Sequence, residues 1–260
     1  MVVIGVVLGN SSGAGRQLTT MVGHDLHDAN PNHTAPHPGE ARYLFMQPRM
    51  LFVILVLMLA LTGCGNKQEA PGPLTMDSAE TERWEIALVE WRIEKNESFM
   101  DPAQSPLPEA MQAGFEGLDY YFPVATFRYR LAMEEATGAE TVELTKRKGE
   151  TVTYKVRGTL RFNHGGQDCE LTVFGPTGDG QDYLFLPFFD QTNGDTSYPG
   201  GRYVDLELAA DGTVELDFNK AYNPLCAYGD PRWNCTLPPA TNTLDLRVEA
   251  GEKMLAGTAH

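Results

Sequence analysis

The chain predicts a mainly β fold, an antiparallel barrel or sandwich preceded by one amphipathic helix, on three observations. After residue 124 the apolar periodicity falls to two. Turn residues such as Gly149-Glu150 and Asp211-Gly212 divide the apolar runs. No later segment is long and periodic enough to supply the crossover helices that a parallel sheet requires.

In chain order the helix comes first. Trp84, Ala87, Leu88, Trp91 and Lys95 recur at three- and four-residue spacing, Glu82, Glu85, Glu90 and Glu94 fall mostly elsewhere, and Ser78 or Thr81 can cap the first turn. This stripe is expected to pack on the domain's own sheet, since a short helix gains most of its stability that way. Residues 101–123 carry turn signals, from Asp101-Pro102 to Phe122-Pro123, and predict an irregular loop pinned by Phe115, Tyr120, Tyr121 and Phe122. Strands are then expected over 125–133, 140–146, 151–156, 158–162, 169–174, 182–187, 202–208, 213–218 and 244–249.

Ahead of the domain, Leu61-Thr62-Gly63-Cys64 follows Arg49 and the apolar run 50–61. That run falls short of the roughly 20 residues needed to span hydrocarbon, and it has the length of an export signal core. Residues 46–63 are thus expected to be a lipoprotein signal peptide, with Cys64 the lipidated first residue of the mature chain. Residues 64–78 read as a polar, Pro/Gly-rich tether, and 79–260 as a single β-rich domain. An export signal acts near a chain start, so 1–45 reads as a non-native or removed extension. Its Gly9-Asn10-Ser11-Ser12-Gly13-Ala14-Gly15 lacks the Gly-Lys-Ser/Thr ending of a phosphate loop. Its histidines, His24, His27, His33 and His37, lie in the same Gly/Pro/Asn-rich stretch.

The formal net charge of −15 repels nucleic acid and anionic lipid heads. Lys146-Arg147-Lys148 is a lone basic triplet that reads as a hairpin tip. The expected partners are a membrane, through the lipid anchor, and a small ligand or an envelope protein. The expected location is the cell envelope, with the domain outside the cytoplasm. Cysteine use agrees with an oxidising compartment: Cys226 and Cys235 flank a loop that a disulfide can close, which leaves Cys169 as a buried free thiol.

Chemistry concentrates between residues 186 and 239. Period two puts Tyr203 and Asp205 on one face of their strand and Arg202, Val204 and Leu206 on the other. A buried acid must be paired, so Asp190, Asp205 and Asp217 are candidate partners for Arg202 or Lys220. The loop after residue 221 carries Tyr222, Asn223, Tyr228, Arg232 and Trp233, a ligand lip whose rings would stack while Arg takes an anionic group. The candidate ligand-binding residues are therefore Arg202, Tyr203, Tyr222, Asn223, Arg232 and Trp233. The alternative is a carboxylate-dependent hydrolase that uses Asp190, Asp205 or Asp217. Neither metal nor cofactor is expected, because His164 and Cys169 lack further ligands at suitable spacing and no Gly-x-Ser-x-Gly occurs after residue 64.

Several strings then carry a resemblance. Gly201-Arg202-Tyr203-Val204-Asp205-Leu206, Leu216-Asp217-Phe218-Asn219-Lys220-Ala221-Tyr222-Asn223-Pro224, Cys226-Ala227-Tyr228, Cys235, Leu237-Pro238-Pro239, Asn242 and Ala250-Gly251-Glu252-Lys253 occur in that order. They resemble the uncharacterised bacterial and archaeal family called domain of unknown function 1684, over roughly residues 84–253. The resemblance implies no agreed activity, and so no catalytic role for any residue. It also implies that Phe189 and Lys220 occupy positions where the family often has Arg, so an anion contact there would be altered.

Overall fold

The computed structural model describes residues 69–178 and 183–255. The expected extension 1–45, the signal 46–63 and the lipidation site Cys64 lie outside the described residues. Helix α1 (Ser78–Met100) starts from Asp77: its carboxylate accepts from Glu80 N, and the Glu80 carboxylate accepts from Asp77 N. It ends at Asp101, the residue before a proline. Trp84, Leu88 and Phe99 are buried, whereas Ile86, Val89, Ile93 and Met100 are exposed. The helix is thus apolar on two sides, which corrects the single stripe expected of an amphipathic helix.

After the short α2 (Glu109–Gln112) come, among the described residues, eight strands: β1 (Arg128–Ala132), β2 (Glu134–Glu135), β3 (Thr141–Thr145), β4 (Thr151–His164), β5 (Gln167–Gly175), β6 (Leu184–Phe188), β7 (Arg202–Leu206) and β8 (Thr213–Asp217). All pair antiparallel, in a six-stranded sheet with path β2-β4-β5-β6-β7 and β3 also on β4, and in a two-stranded β1-β8 sheet. The sheets share one core and do not close into a barrel. Alternation sends Leu160, Phe162, Leu171, Val173, Leu184, Leu186, Phe188, Val204 and Leu206 into it, where they meet Tyr129, Leu131, Val214 and Leu216 of β1 and β8. The opposite face of the larger sheet carries a second cluster around Leu144, Phe174, Phe185 and Tyr203.

Two strand expectations are corrected. Runs 151–156 and 158–162 form one strand, bent by a bulge between Val156 and Gly158. A Cβ on Gly158 would lie 2.6 Å from the Glu134 carbonyl oxygen, so only glycine lets β2 approach there. The run 244–249 is no strand. Leu244 N donates to Phe189 O, but Val248 N donates to the Asp190 carboxylate instead of to a neighbouring strand. A side chain has captured the backbone group that a ladder would need.

The Cys226–Cys235 disulfide is formed, with Cα atoms 5.9 Å apart, and Cys169 is free and buried. Each bridged cysteine's N–H points at the other's sulfur. Closing so short a loop is worth roughly 2–3 kcal/mol on the chain-entropy estimate. The basic hairpin tip rests on this stapled loop, since Arg147 N donates to Cys235 O and Lys148 Nζ to Pro231 O.

At the β4–β5 end, the Tyr129 hydroxyl lies 2.6 Å from His164 Nδ1, and the imidazole stacks on Phe127. Burial holds the His164 pKa below its ordinary value, against a smaller opposing pull from a backbone hydrogen bond at Thr126. As pH falls the unfolded chain therefore takes the proton first. The stability contribution is complete above the unfolded value of about 6.5 and is lost as pH falls through the folded one. We expect the urea midpoint to drop between about pH 7.5 and about pH 5.5, and to drop less in His164→Gln. Equal drops would show that this ring is not linked to folding.

Candidate functional site: the cleft between strands β7 and β8

Strands β7 and β8 are neighbours that belong to different sheets. They meet at the Leu208–Val214 bridge, and β7 is bridged again to the chain beyond β8 at Tyr203–Tyr222. Between these points the strands part. The gap is a cleft of about 270 Å³ lined by Val204, Asp205, Glu207, Glu215, Asp217 and Lys220.

Asp205 is the prepared group. Asp205 is an exposed residue whose Oδ1 accepts hydrogen bonds from the hydroxyls of Tyr183 (2.6 Å) and Tyr222 (2.7 Å), while Oδ2 has no partner among the described residues. Burial first, then the Asp205 charge, pushes the Tyr222 phenol well above its ordinary pKa. Burial and the Asp205 hydrogen bond do the same to Tyr183. Both phenols stay protonated and remain donors. Behind them a row of rings fixes their positions: Tyr222 to Tyr203 at 5.7 Å, Tyr203 to Phe185 at 4.7 Å and Phe185 to Tyr154 at 5.5 Å between centroids.

The other carboxylates differ in how they are held. Asp217 is buried: its Oδ2 accepts Trp84 Nε1–H at 2.8 Å and meets Arg128 Nε at 3.2 Å, while Oδ1 accepts Asn219 N and Nδ2. It ties α1, β1 and β8 together. Glu215 also pairs with Arg128. Arg128 thus answers two of the acids, whereas neither Asp205 nor Glu207 has a cation partner among the described residues. Among the described residues the carboxylates form no three-member metal ligand set, and the cleft lining sets four acids against one base, Lys220.

Arg202, an expected ligand contact, lies fully buried elsewhere. Its Nη2 meets Asp190 Oδ1 at 3.0 Å and Val248 O at 2.8 Å, and its Nη1 donates to Ala250 O at 2.5 Å. Asp190 in turn accepts from Thr192 N, Thr192 Oγ1 and Val248 N. Among the three acids offered to Arg202 by sequence, the fold selects Asp190. The stapled loop is similarly occupied with its own packing. Tyr203 donates its hydroxyl to Thr236 O, Asn223 Nδ2 donates to Lys253 O, and Trp233 Nε1 donates to Pro106 O. Arg232 stacks on Trp233 and pairs with Asp230.

The structure therefore brings Asp205, Asp217 and Tyr222 together at the cleft and leaves Asp190, Arg202, Asn223, Arg232 and Trp233 outside it. Sequence reasoning missed Tyr183, Glu207 and Glu215. Glu207 was legible, since period two places it on the Tyr203–Asp205 face. It also missed a second buried knot, where Glu252 accepts Asn223 N and the Tyr228 hydroxyl and pairs with Lys95 at 2.5 Å.

Fold and site together define a two-sheet antiparallel β domain with a helix tied to its smaller sheet through Trp84 and Asp217, and an acidic cleft at the seam. The chain belongs to the DUF1684 family, described as a protein of unknown function, whose model matches residues 113–253. It is similar to the uncharacterized protein of Haloarcula marismortui solved in solution by NMR, at 37% identity and a TM-score of 0.55, covering 68% of this chain and 97% of that one. No curated protein sequence matches it. Among the described residues no helix is long and apolar enough to cross a membrane.

Proposed function

We propose that the chain is an envelope lipoprotein, held at a membrane through acylated Cys64, whose β7–β8 cleft binds a small ligand bearing positive charge. The observation that carries the ligand reading is Asp205, a carboxylate held at the mouth of an open cleft by two phenols, with one oxygen left over. Beside it Glu207 adds unanswered negative charge, so an amine or guanidinium is the complementary group. This reverses the ligand sign expected from Arg202 and Arg232, both of which are engaged by protein acids.

The anchor reading is supported by the export-type sequence before Cys64 and by a disulfide of the kind that oxidising compartments favour. Pro71 O accepts from Asn163 N and Leu74 N donates to Arg128 O, so the tether already rests on the domain by residue 71.

NMR titration of the full chain with spermidine, arginine and, as an anionic control, malate tests the ligand reading. Spermidine or arginine is expected to shift amides of residues 203–207 and 213–220 saturably. Asp205→Asn should weaken binding about tenfold, the size of one charge-assisted hydrogen bond. Tighter binding of malate, or an Asp205→Asn variant that binds like the parent, sinks it. Mass spectrometry of the protein from its native membrane tests the anchor separately: a chain beginning at Cys64 and carrying fatty acid is expected, and an unacylated one overturns that part alone.

A further inference from the structure

We propose that the outward face of α1 docks a basic amphipathic helix from a partner protein. Ile86, Val89, Ile93 and Met100 are 52%, 48%, 50% and 52% exposed, although each is a residue type that usually lies inside. Single exposed apolar side chains are ordinary, but these four fall on one line. Their spacings of three, four and seven put Ile86, Ile93 and Met100 at one heptad position and Val89 at the other, a seam about 21 Å long at 1.5 Å per residue. The buried stripe of Trp84, Leu88 and Phe99 holds the domain, so this seam serves nothing within the described residues.

Charge chooses the occupant. Exposed Glu82, Glu85, Glu90, Glu94 and Glu97 surround the seam, and Arg83 is the one exposed base on the helix. Its other bases turn inward: Arg92 Nη1 donates to Tyr121 O, and Lys95 pairs with Glu252. A second copy of this face would bring two such acidic rims together, and an anionic bilayer would meet them with like charge. A helix with Lys or Arg beside an apolar seam matches both features, as flanking charges select partners in coiled coils.

Two fluorescent peptides of about three heptads, alike in a Leu/Ile seam but flanked by Lys in one and Glu in the other, provide the probe. The full chain is expected to bind the Lys-flanked peptide, to lose at least tenfold in affinity with Ile93→Lys, and to weaken by a smaller factor with Glu90→Gln/Glu97→Gln. Leu225→Lys, an exposed apolar position on another element, should leave binding unchanged. Equal affinity for the two peptides, no binding of the Lys-flanked one, or indifference to Ile93→Lys would overturn the proposal. So would sedimentation that shows a dimer dissociated by Ile93→Lys, or flotation of the unacylated chain with anionic vesicles that Ile93→Lys abolishes, because a second copy or a lipid surface would then be the occupant.

Discussion

Arg202→Ala is expected to lower the stability of the fold by about 3–5 kcal/mol, the cost of leaving one member of a buried ion pair without its counter-charge. The guanidinium is 0% exposed and is enclosed by Asp190, Thr192 and the carbonyls of Val248, Ala250 and Glu252. Removing it leaves Asp190 without its counter-charge and takes the donor from three backbone carbonyls at once. Asp190→Ala should cost a similar amount, since it frees Thr192 N and Val248 N as well as Arg202. The two losses share their cause, so the double variant Asp190→Ala/Arg202→Ala should be less damaged than the sum of the singles. Urea unfolding of the four proteins measures this. An Arg202→Ala variant within about 1 kcal/mol of the parent would show that the pair does not hold the structure, and would return Arg202 to the ligand-binding residues.

Much of this arrangement was legible because period two is a strong signal. Alternation alone put Arg202, Val204 and Leu206 on the face that is buried in the core, and Tyr203 with Asp205 on the other. The Cys226–Cys235 bridge followed from loop composition and spacing. The partner of Arg202 did not, because Asp190, Asp205 and Asp217 offer the same chemistry in a string of letters. The fold decides through the 244–249 segment, whose alternation imitates a strand while its backbone supplies Val248 N to Asp190 and Val248 O to Arg202. Residues beyond it, Ala250 and Glu252, complete the ring of carbonyls.

The cleft was less legible for a topological reason. Asp211-Gly212 correctly marks a turn between β7 and β8, and a hairpin normally zips along its length. Here β8 spends its other edge on β1 and Asp217 is pulled away by Trp84 and Arg128, so the hairpin stays joined near Leu208 and opens toward Asp205. The divergence depends on residues more than 80 positions upstream, which no local pattern reports. Tyr183 escaped notice because its function, holding Asp205, comes from the register of β6 on β7, in which Leu184 faces Leu206.

Gly251→Ala is the other substitution expected to be severe, at about 2–4 kcal/mol, combining left-handed backbone strain with overpacking. Gly251 has φ +80°, and a Cβ there would lie 2.5 Å from Ala221 O and 2.7 Å from Phe218 O. Neither oxygen can retreat easily: both belong to the backbone, and Ala221 O accepts from Glu252 N. The position also joins the two buried knots. Ala250 and Glu252 on either side give carbonyls to Arg202, and the Glu252 carboxylate holds Asn223, Tyr228 and Lys95. A shift at Gly251 therefore loosens both, and α1 with them through Lys95. Gly212→Ala separates strain from crowding, because Gly212 has φ +76° but open space where its Cβ would stand. It should cost only about 1–2 kcal/mol, from backbone conformation alone. Paired urea titrations give the comparison, and a Gly251→Ala variant no worse than Gly212→Ala would mean that the close approach of the Ala221 and Phe218 carbonyls does not constrain this turn.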